Sequence, residues 1–441
     1  MSFVPNTNNE LNEMLQRIGV NSFEDLLKEI PSSTRVDELD IADAISEMEA
    51  LSLLKKLSDK NLTNSGNISF MGGGIYDHYI PTIVGSILEK PEFKTAYTPY
   101  QAEVSQGTLQ VMYEFQTMIT RLTGMEISNA SLYDAGTGLA EACLMANANT
   151  KNKEILIAGT INPLYLQTAK SLVVGRDLEF KVFAKEDGTA DLEGLKNAIS
   201  DDTAAVIVQH PNFFGNFEDV FEIEKIVHTH KALYVSIFNP ISLGLITPPG
   251  KYNADIALGE GQSLGINVSF GGPVLGLFTC KEKLIRTLPG RIVGMTIDAD
   301  ENRAFVLTLQ TREQQIKREK ATSNICTNQG LIMLAATVYM ETMGKEGLRE
   351  VAEHSFHKAH YLANEISGID GFEINSGTFF NEFLVKTNTD VNSIIEKAAA
   401  AGFLAGINVE QFTDSKGLLI AVTEKRTKTE MDKFVEFLKN V

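Results

Sequence analysis

The sequence predicts an α/β protein, with a large domain built on a doubly wound, mostly parallel or mixed sheet and smaller lobes toward the chain ends. Three observations carry this. Short apolar runs recur between Glu154 and Cys280, most of them separated by enough chain for a helix, as strands buried on both faces require. A strongly periodic helix precedes them and a mixed helix and strand pattern follows. The chain's 441 residues, 43% of them hydrophobic, exceed what one hydrophobic core usually organises.

In chain order, Leu11, Met14 and Leu15 share a helical face before Gly19. Ser22 and Asp25 form a capping-box pattern ahead of Leu26 and Leu27, with Pro31 as the stop. A polar stretch from about Lys60 to Gly66 leads into FMGGGIYDHYIP, whose glycines and Pro81 predict a loop and a lobe boundary. Residues 1–70 are therefore expected to form an N-terminal helical arm. Leu109, Met112, Phe115, Ile119 and Leu122 then recur at helical spacing, and Gly124 is placed to end that helix. Strands are predicted over 154–158, 178–184, 204–209, 232–238, 255–258 and 274–280. The charged segment TREQQIKREKATSN breaks this rhythm and closes a large domain over 71–325. Beyond it, a helix from Leu331 to Met343, another carrying His354, His357 and His360, and strand-like FEINSG and FFNEFLVKT predict a small α+β domain over 326–441. Thr427 and Glu430 make a capping box for a last helix that buries Met431, Phe434, Leu438 and Val441.

Composition excludes several functions. A net charge of −18 repels a phosphate backbone, so nucleic acid is not an expected partner. No apolar run reaches bilayer length, and MSFVPNTNNELNEML lacks the basic and apolar regions of a signal peptide, so no membrane association and a cytoplasmic location are expected. Cys143, Cys280 and Cys326 are few, odd in number and far apart, which reads as reduced thiols in the core. His228 and His230 stand two apart in a predicted helix and diverge, while the His354, His357, His360 stripe reads as a partly exposed helix face. No metal is expected. GEGQSLG lacks the final glycine of a dinucleotide fingerprint.

Three segments are candidates for chemistry. In YDAGTGLAEA, Gly136, Thr137 and Gly138 start a helix whose free N–H groups suit a phosphate, although a close-packed small-residue turn explains the pattern as well. The stretch from Ala232 to Phe278 holds two strands and glycine-rich turns longer than plain connections. Thr95 to Gly107 crowds Tyr97, Tyr100, Gln101, Glu103, Ser105 and Gln106 before a helix. Hydroxyls, amides and a carboxylate in one turn suit a small polar ligand, and equally a helix start with Ser105 as N-cap after a Tyr-Pro turn.

These residues also carry a resemblance. FMGGGIYDHYIP, TAYTPYQAEVSQGTLQ, SLYDAGTGLAEA, HPNFFGNFED, LPGRIVG and TREQQIKREKATSNICTNQ, in that order, resemble the first subunit of the decarboxylating glycine dehydrogenases, the P-protein family of the glycine cleavage system. The likeness covers nearly the whole chain. It implies the fold-type-I architecture of pyridoxal-phosphate enzymes, with an N-terminal arm, a large seven-stranded domain and a small C-terminal domain. It also implies an α2β2 assembly with glycine dehydrogenase subunit 2, in which glycine is decarboxylated on pyridoxal phosphate and its aminomethyl group passes to the lipoyl arm of the H-protein.

Pyridoxal phosphate needs a lysine for its imine and an acid for its ring nitrogen. Between Lys251 and Lys281 there is no lysine. The position resembling the family's imine-forming lysine holds Gln262, and the one resembling its ring-binding aspartate holds Ser236. The resemblance therefore implies a chain that kept the fold and relic positions Gly136, Thr137, Gly138, Ser236 and Gln262, with the cofactor on the partner subunit. Tyr97, Tyr100, Gln101, Glu103, Ser105 and Gln106 are the expected contributors to a shared interface site. Arg291 and the run Lys317, Arg318, Lys320 are further candidates to meet a carboxylate or the H-protein, or are simply solvated charges. Two positions depart from the family pattern: Met295 where Glu is usual, and Gln315 where His is usual. An autonomous pyridoxal-phosphate enzyme and a non-catalytic scaffold or regulatory subunit are the competing functions.

Overall fold

A computed structural model describes residues 5–36, 38–63, 66–94, 97–269, 271–374 and 377–441. The chain divides into two compact units, Met1–Leu62 and Thr63–Val441. The first contains helices Asn8–Ile18, Phe23–Leu26 and Glu47–Ser58, each opened by a capping box, with Thr7/Glu10, Ser22/Asp25 and Ser46/Glu49 as the reciprocal pairs. The third helix lies beyond the elements anticipated for this region; its Ser46 and Glu49 were the available signal.

The second unit is built on a seven-stranded sheet: β1 Ile127–Ser128, β2 Glu154–Ala158, β3 Glu179–Phe183, β4 Thr203–His210, β5 Leu233–Phe238, β6 Ile256–Glu260 and β7 Gly276–Cys280. Their spatial order is β1-β7-β6-β5-β4-β2-β3. Strands β3 to β6 run parallel through β2, and β7 is antiparallel to both β6 and β1. Alternate residues of β2 enter different cores. Ile155 and Ile157 pack with helix Ala135–Thr150, while Leu156 and Ala158 pack with helix Gln106–Thr123. Burial on both faces is why these strands read as unbroken apolar runs. Gly124 ends the second of these helices in the left-handed region, as its position predicts.

A hairpin of β8 Ile292–Ile297 and β9 Arg303–Thr308 follows. The small lobe holds β10 Phe372–Ile374, β11 Glu382–Thr387, β12 Ile407–Asn408 and β13 Leu418–Ala421, all antiparallel in the order β10-β11-β13-β12. Of the predicted strand FEINSG, Asn375 and Ser376 lie outside the described residues. Helix Lys428–Leu438 has the expected capping box and buries Met431, Phe434 and Leu438.

The lobe limits differ from the expected ones for two reasons. Ile68–Ser69 pairs in parallel with Phe403–Leu404, which attaches these two residues to the small lobe. Helix Gly330–Ser367, interrupted at Gly344, serves both cores: Met333, Ala336 and Tyr339 pack with the large one, Ala359, Leu362 and Ile366 with the small one. The divide thus falls inside a helix.

Candidate functional site

Carboxyl ends of β4, β5 and β6 converge where an open α/β sheet binds its ligands. Over them lies the loop containing Gly72–Asp77, and from the small lobe comes Glu382 at the start of β11. Gln262, 1% exposed, follows the end of β6. Its side-chain oxygen accepts from the Tyr76 N–H at 2.9 Å, and its nitrogen donates to the carbonyls of Tyr76 at 3.1 Å and Ile266 at 2.6 Å. The amide thus acts like a strand residue toward Tyr76. The Tyr76 hydroxyl donates to Glu382 Oε2 at 2.9 Å, and the Gly73 N–H donates to Glu382 Oε1 at 2.6 Å. At Gly74 the backbone has φ +105°, and a Cβ would stand 2.4 Å from the Tyr165 hydroxyl, so only glycine lets the loop pass.

Helix Ala135–Thr150 points its N-terminus at this region, but three of its first four N–H groups, all except that of Gly136, are already engaged. Asp134 is the N-cap and accepts from the Thr137 N–H at 2.7 Å, and Glu260 accepts from the Ala135 N–H at 3.2 Å. Gly136 to Gly138 therefore lie in the first turn, starting two residues past the cap. Glu260 also accepts from the N–H groups of Gln262 and Leu275, both at 3.0 Å. Burial pushes its carboxyl up to about 8 against the opposing pull of those N–H groups. Burial likewise raises Glu382 to about 7. In β5, Ser236 shares a 2.8 Å hydrogen bond with the Tyr252 hydroxyl, and both are buried. Burial lowers His210, at the end of β4, to about 4, so it is neutral near pH 7 and accepts from the Glu218 N–H.

This pocket does not fit pyridoxal phosphate. Gln262 offers no amine and its amide is fully engaged. Ser236 offers no charge for a ring nitrogen, and the carboxyl groups of Glu260 and Asp134 take two of the helix N-terminal N–H groups that a phosphate would use.

In the other candidate segment, Thr95 and Ala96 lie outside the described residues. Tyr97 is 89% exposed and Tyr100 48%, and Gln101 and Glu103 are exposed too. Ser105 stands at the N-cap of helix Gln106–Thr123 but makes no side-chain cap bond. Gln106 turns inward: its oxygen accepts from the Phe305 N–H at 2.9 Å and its nitrogen donates to the carbonyls of Phe305 and Ala102, both at 2.8 Å. Beside Tyr97 lies a largely apolar cleft of about 430 Å³ that includes Phe93, Met112 and Leu331. It adjoins a cleft of about 600 Å³ over Asp134, Gly136 and Gln262, the two sharing Pro273 and Gln329. Of the candidate segment Tyr97 lines the first of these clefts, whereas Gln106 is half-buried against Phe305 and Ser236 is fully buried.

The whole chain has known counterparts. Residues 1–438 match the family described as Glycine cleavage system P-protein. This chain belongs to that family. The P-protein chain is 51% identical over 443 residues to the probable glycine dehydrogenase (decarboxylating) subunit 1 of Chloroherpeton thalassium, with 100% of each covered. It is 48% identical over 442 residues to the protein of the same name from Carboxydothermus hydrogenoformans. Among solved structures, a glycine decarboxylase (P-protein) of the glycine cleavage system in inhibitor-bound form superposes with a TM-score of 0.88 at 38% identity, covering 100% of both chains. Lactobacillus brevis glutamate decarboxylase, at TM-score 0.68 and 13% identity over 94% of this chain and 96% of that one, shares the fold alone. The architecture is that of fold-type-I enzymes, as the motifs imply.

Other residues singled out from the sequence lie as follows. Among the described residues no cluster of His, Cys, Asp and Glu is arranged to hold a metal, and no helix is long and apolar enough to cross a membrane. Cys143 and Cys280 are buried, but Cys326 is exposed. His354 and His357 are exposed, whereas His360 stacks on Phe379 with centroids 4.0 Å apart. His228 is not in a helix interior: it caps helix Val220–Val227 and joins a charged network with Asp255. Lys317, Arg318 and Lys320 are exposed. Tyr76, Asp134, Glu260 and Glu382 were missed from sequence. Only Asp134, one residue before the small-residue turn, had a local signal, that of an N-cap.

Proposed function

We infer that this chain is subunit 1 of a glycine dehydrogenase (decarboxylating), and that it works with a second subunit carrying pyridoxal phosphate at a site the two share. One observation carries the reading: the chain keeps the enzyme fold over its full length, yet Gln262 and the Tyr76 loop fill the place where a cofactor-binding lysine would act. A chain so arranged contributes from its surface. Tyr97, Tyr100 and Glu103 are among the exposed polar groups of the candidate segment, and Tyr97 lines the cleft that adjoins the one over the relic pocket. In this reading they orient glycine or admit the lipoyl arm of the H-protein, which takes the aminomethyl group, in an α2β2 assembly. The partner's cofactor supplies the electron sink, and every step on it belongs to that subunit.

The test is co-expression with a homologous second subunit that carries the lysine, followed by Tyr97→Phe and Glu103→Gln in the assembled complex. Intact assembly with glycine decarboxylation reduced 10-fold or more is the expected result, an order typical of lost positioning contacts (~10-fold to 100-fold). Unchanged turnover in both variants supports the scaffold role instead. An imine absorption band on the chain purified alone, with turnover, overturns the reading.

A further inference from the structure

Arg291 immediately precedes β8 and is 4% exposed, yet among the described residues no carboxylate lies within ion-pair distance of it. A buried guanidinium is costly unless its donors are placed. One terminal nitrogen donates to the Thr327 hydroxyl at 2.8 Å and the Asn328 side-chain oxygen at 3.4 Å. The other donates to the Cys326 carbonyl at 3.2 Å and to the Tyr100 hydroxyl oxygen at 3.3 Å, and the guanidinium stacks 5.2 Å from the centroid of the Tyr100 ring. The adjoining cavity, about 20 Å³, has room for a water but not for a phosphate, so Arg291 is not itself an anion site.

Gln315 completes the arrangement. Its amide nitrogen lies 2.6 Å from Glu313 Oε2 and 2.7 Å from the Tyr100 hydroxyl. A carboxylate only accepts, so the nitrogen must face Glu313, and its second hydrogen goes to Tyr100. The phenol oxygen therefore accepts from both Arg291 and Gln315, which uses its two lone pairs. Its own proton has no recorded acceptor in the described chain, and the side chain is half exposed at the candidate shared site.

We propose that Arg291, with Gln315, is a positioning residue that presets Tyr100 as a hydrogen-bond donor to an anionic oxygen brought to the shared site, either the substrate carboxylate or the phosphate of the partner's cofactor. The uncompensated guanidinium behind the ring favours an anion there, and two donors on the phenol oxygen polarise its O–H outward. This rests on the shared-site reading above.

The experiment is a double-mutant cycle in the assembled two-subunit complex with Tyr100→Phe, Arg291→Gln and the pair, measuring glycine KM, kcat and pyridoxal phosphate retention. Each single variant is expected to lose about 10-fold, and the double variant no more than the worse single one, because Arg291 acts through the phenol. A raised glycine KM identifies the carboxylate as the anion; weakened cofactor retention identifies the phosphate. If Arg291→Gln does not fold, the exposed Gln315→Ala takes its place, with a smaller loss that again vanishes in the Tyr100→Phe background. Multiplying losses, or a Tyr100→Phe loss with full activity in both Arg291→Gln and Gln315→Ala, overturns the proposal and leaves the shared site standing. No loss in Tyr100→Phe overturns the placement of Tyr100 at that site, and the proposal with it.

Discussion

Replacing Gln262 by leucine leaves the buried Tyr76 N–H without a partner and its carbonyl with the His78 N–H alone, and stranding a buried backbone group costs about 1–3 kcal/mol. The expected outcome for Gln262→Leu is a loss of that size in urea unfolding. Gln262→Lys restores an amine, but Asp134 and Glu260 still hold the helix N-terminus, so the isolated variant is expected to give no borohydride-stable adduct with pyridoxal phosphate at that lysine. Such an adduct, at cofactor concentrations near the protein's own, shows an open pocket. At this scale the sequence was legible wherever chemistry needs one residue type. A missing amine at 262 and a missing acid at 236 could be read from the family resemblance, while Tyr76 and Glu382 could not. Their hydrogen-bond partners lie 186 and 306 residues away in the chain, and no local pattern records such a pairing. Gln106 shows the opposite error, since a polar residue in a suggestive segment is used to hold backbone.

Gln106 and Gln116, on one helix, hold the two strands of the β8–β9 hairpin in the same manner. Gln116 accepts from the Val293 N–H at 2.9 Å and donates to its carbonyl at 3.0 Å, just as Gln106 does with Phe305. Gln116→Leu is expected to cost about 1–3 kcal/mol and to speed amide exchange in β8 selectively over β4; uniform change across both strands counts against the clamp. A second element junction sits at the amino end of β6. His228 donates to Asp255 at 2.9 Å and to Glu224 at 2.7 Å, and Lys281 and Lys283 also reach Asp255. The bond to Asp255, opposed by burial and aided by Glu224, raises the His228 pKa. Its contribution is therefore fully present below the unfolded value of about 6.5 and fades as pH rises through the folded value. Urea midpoints measured from pH 6 to 9 should fall more for the native chain than for His228→Gln, and parallel curves contradict the linkage. Five of the six predicted strands were legible because burial on both faces leaves few polar residues in them; β3, at the sheet edge, has no fully buried residue. The β8–β9 hairpin escaped although IVGMTI and RAFVLT flank the Asp298–Asn302 turn, because one exposed face breaks up the apolar run.

Across the whole second unit, the lobes meet through backbone, where Phe380 donates to the Gly215 carbonyl and Phe217 to that of Thr378, and through Glu382. The change of pattern after residue 325 predicts a separate small lobe, but helix Gly330–Ser367 is apolar toward both cores and Gly344 interrupts it without ending it, so no sequence signal marks a limit there. The carboxyl that joins them has consequences for stability. Glu382, raised to about 7 mainly by burial, holds a proton in the folded state that it has lost in the unfolded state above about pH 4.3. The unfolded chain then binds fewer protons than the folded one, so stability declines as pH rises from about 4 and levels off above the folded value. A shift of this size corresponds to at most about 3–4 kcal/mol. In Glu382→Gln the Tyr76 hydroxyl reverses to accept from the new amide, the Gly73 N–H keeps an oxygen, and the titration disappears. The native chain is expected to lose more stability between pH 5.5 and 8.5 than Glu382→Gln, with the variant equal or more stable at the upper end. Equal pH slopes in the two proteins would mean that Glu382 is already ionised when the lobes close on the Tyr76 loop.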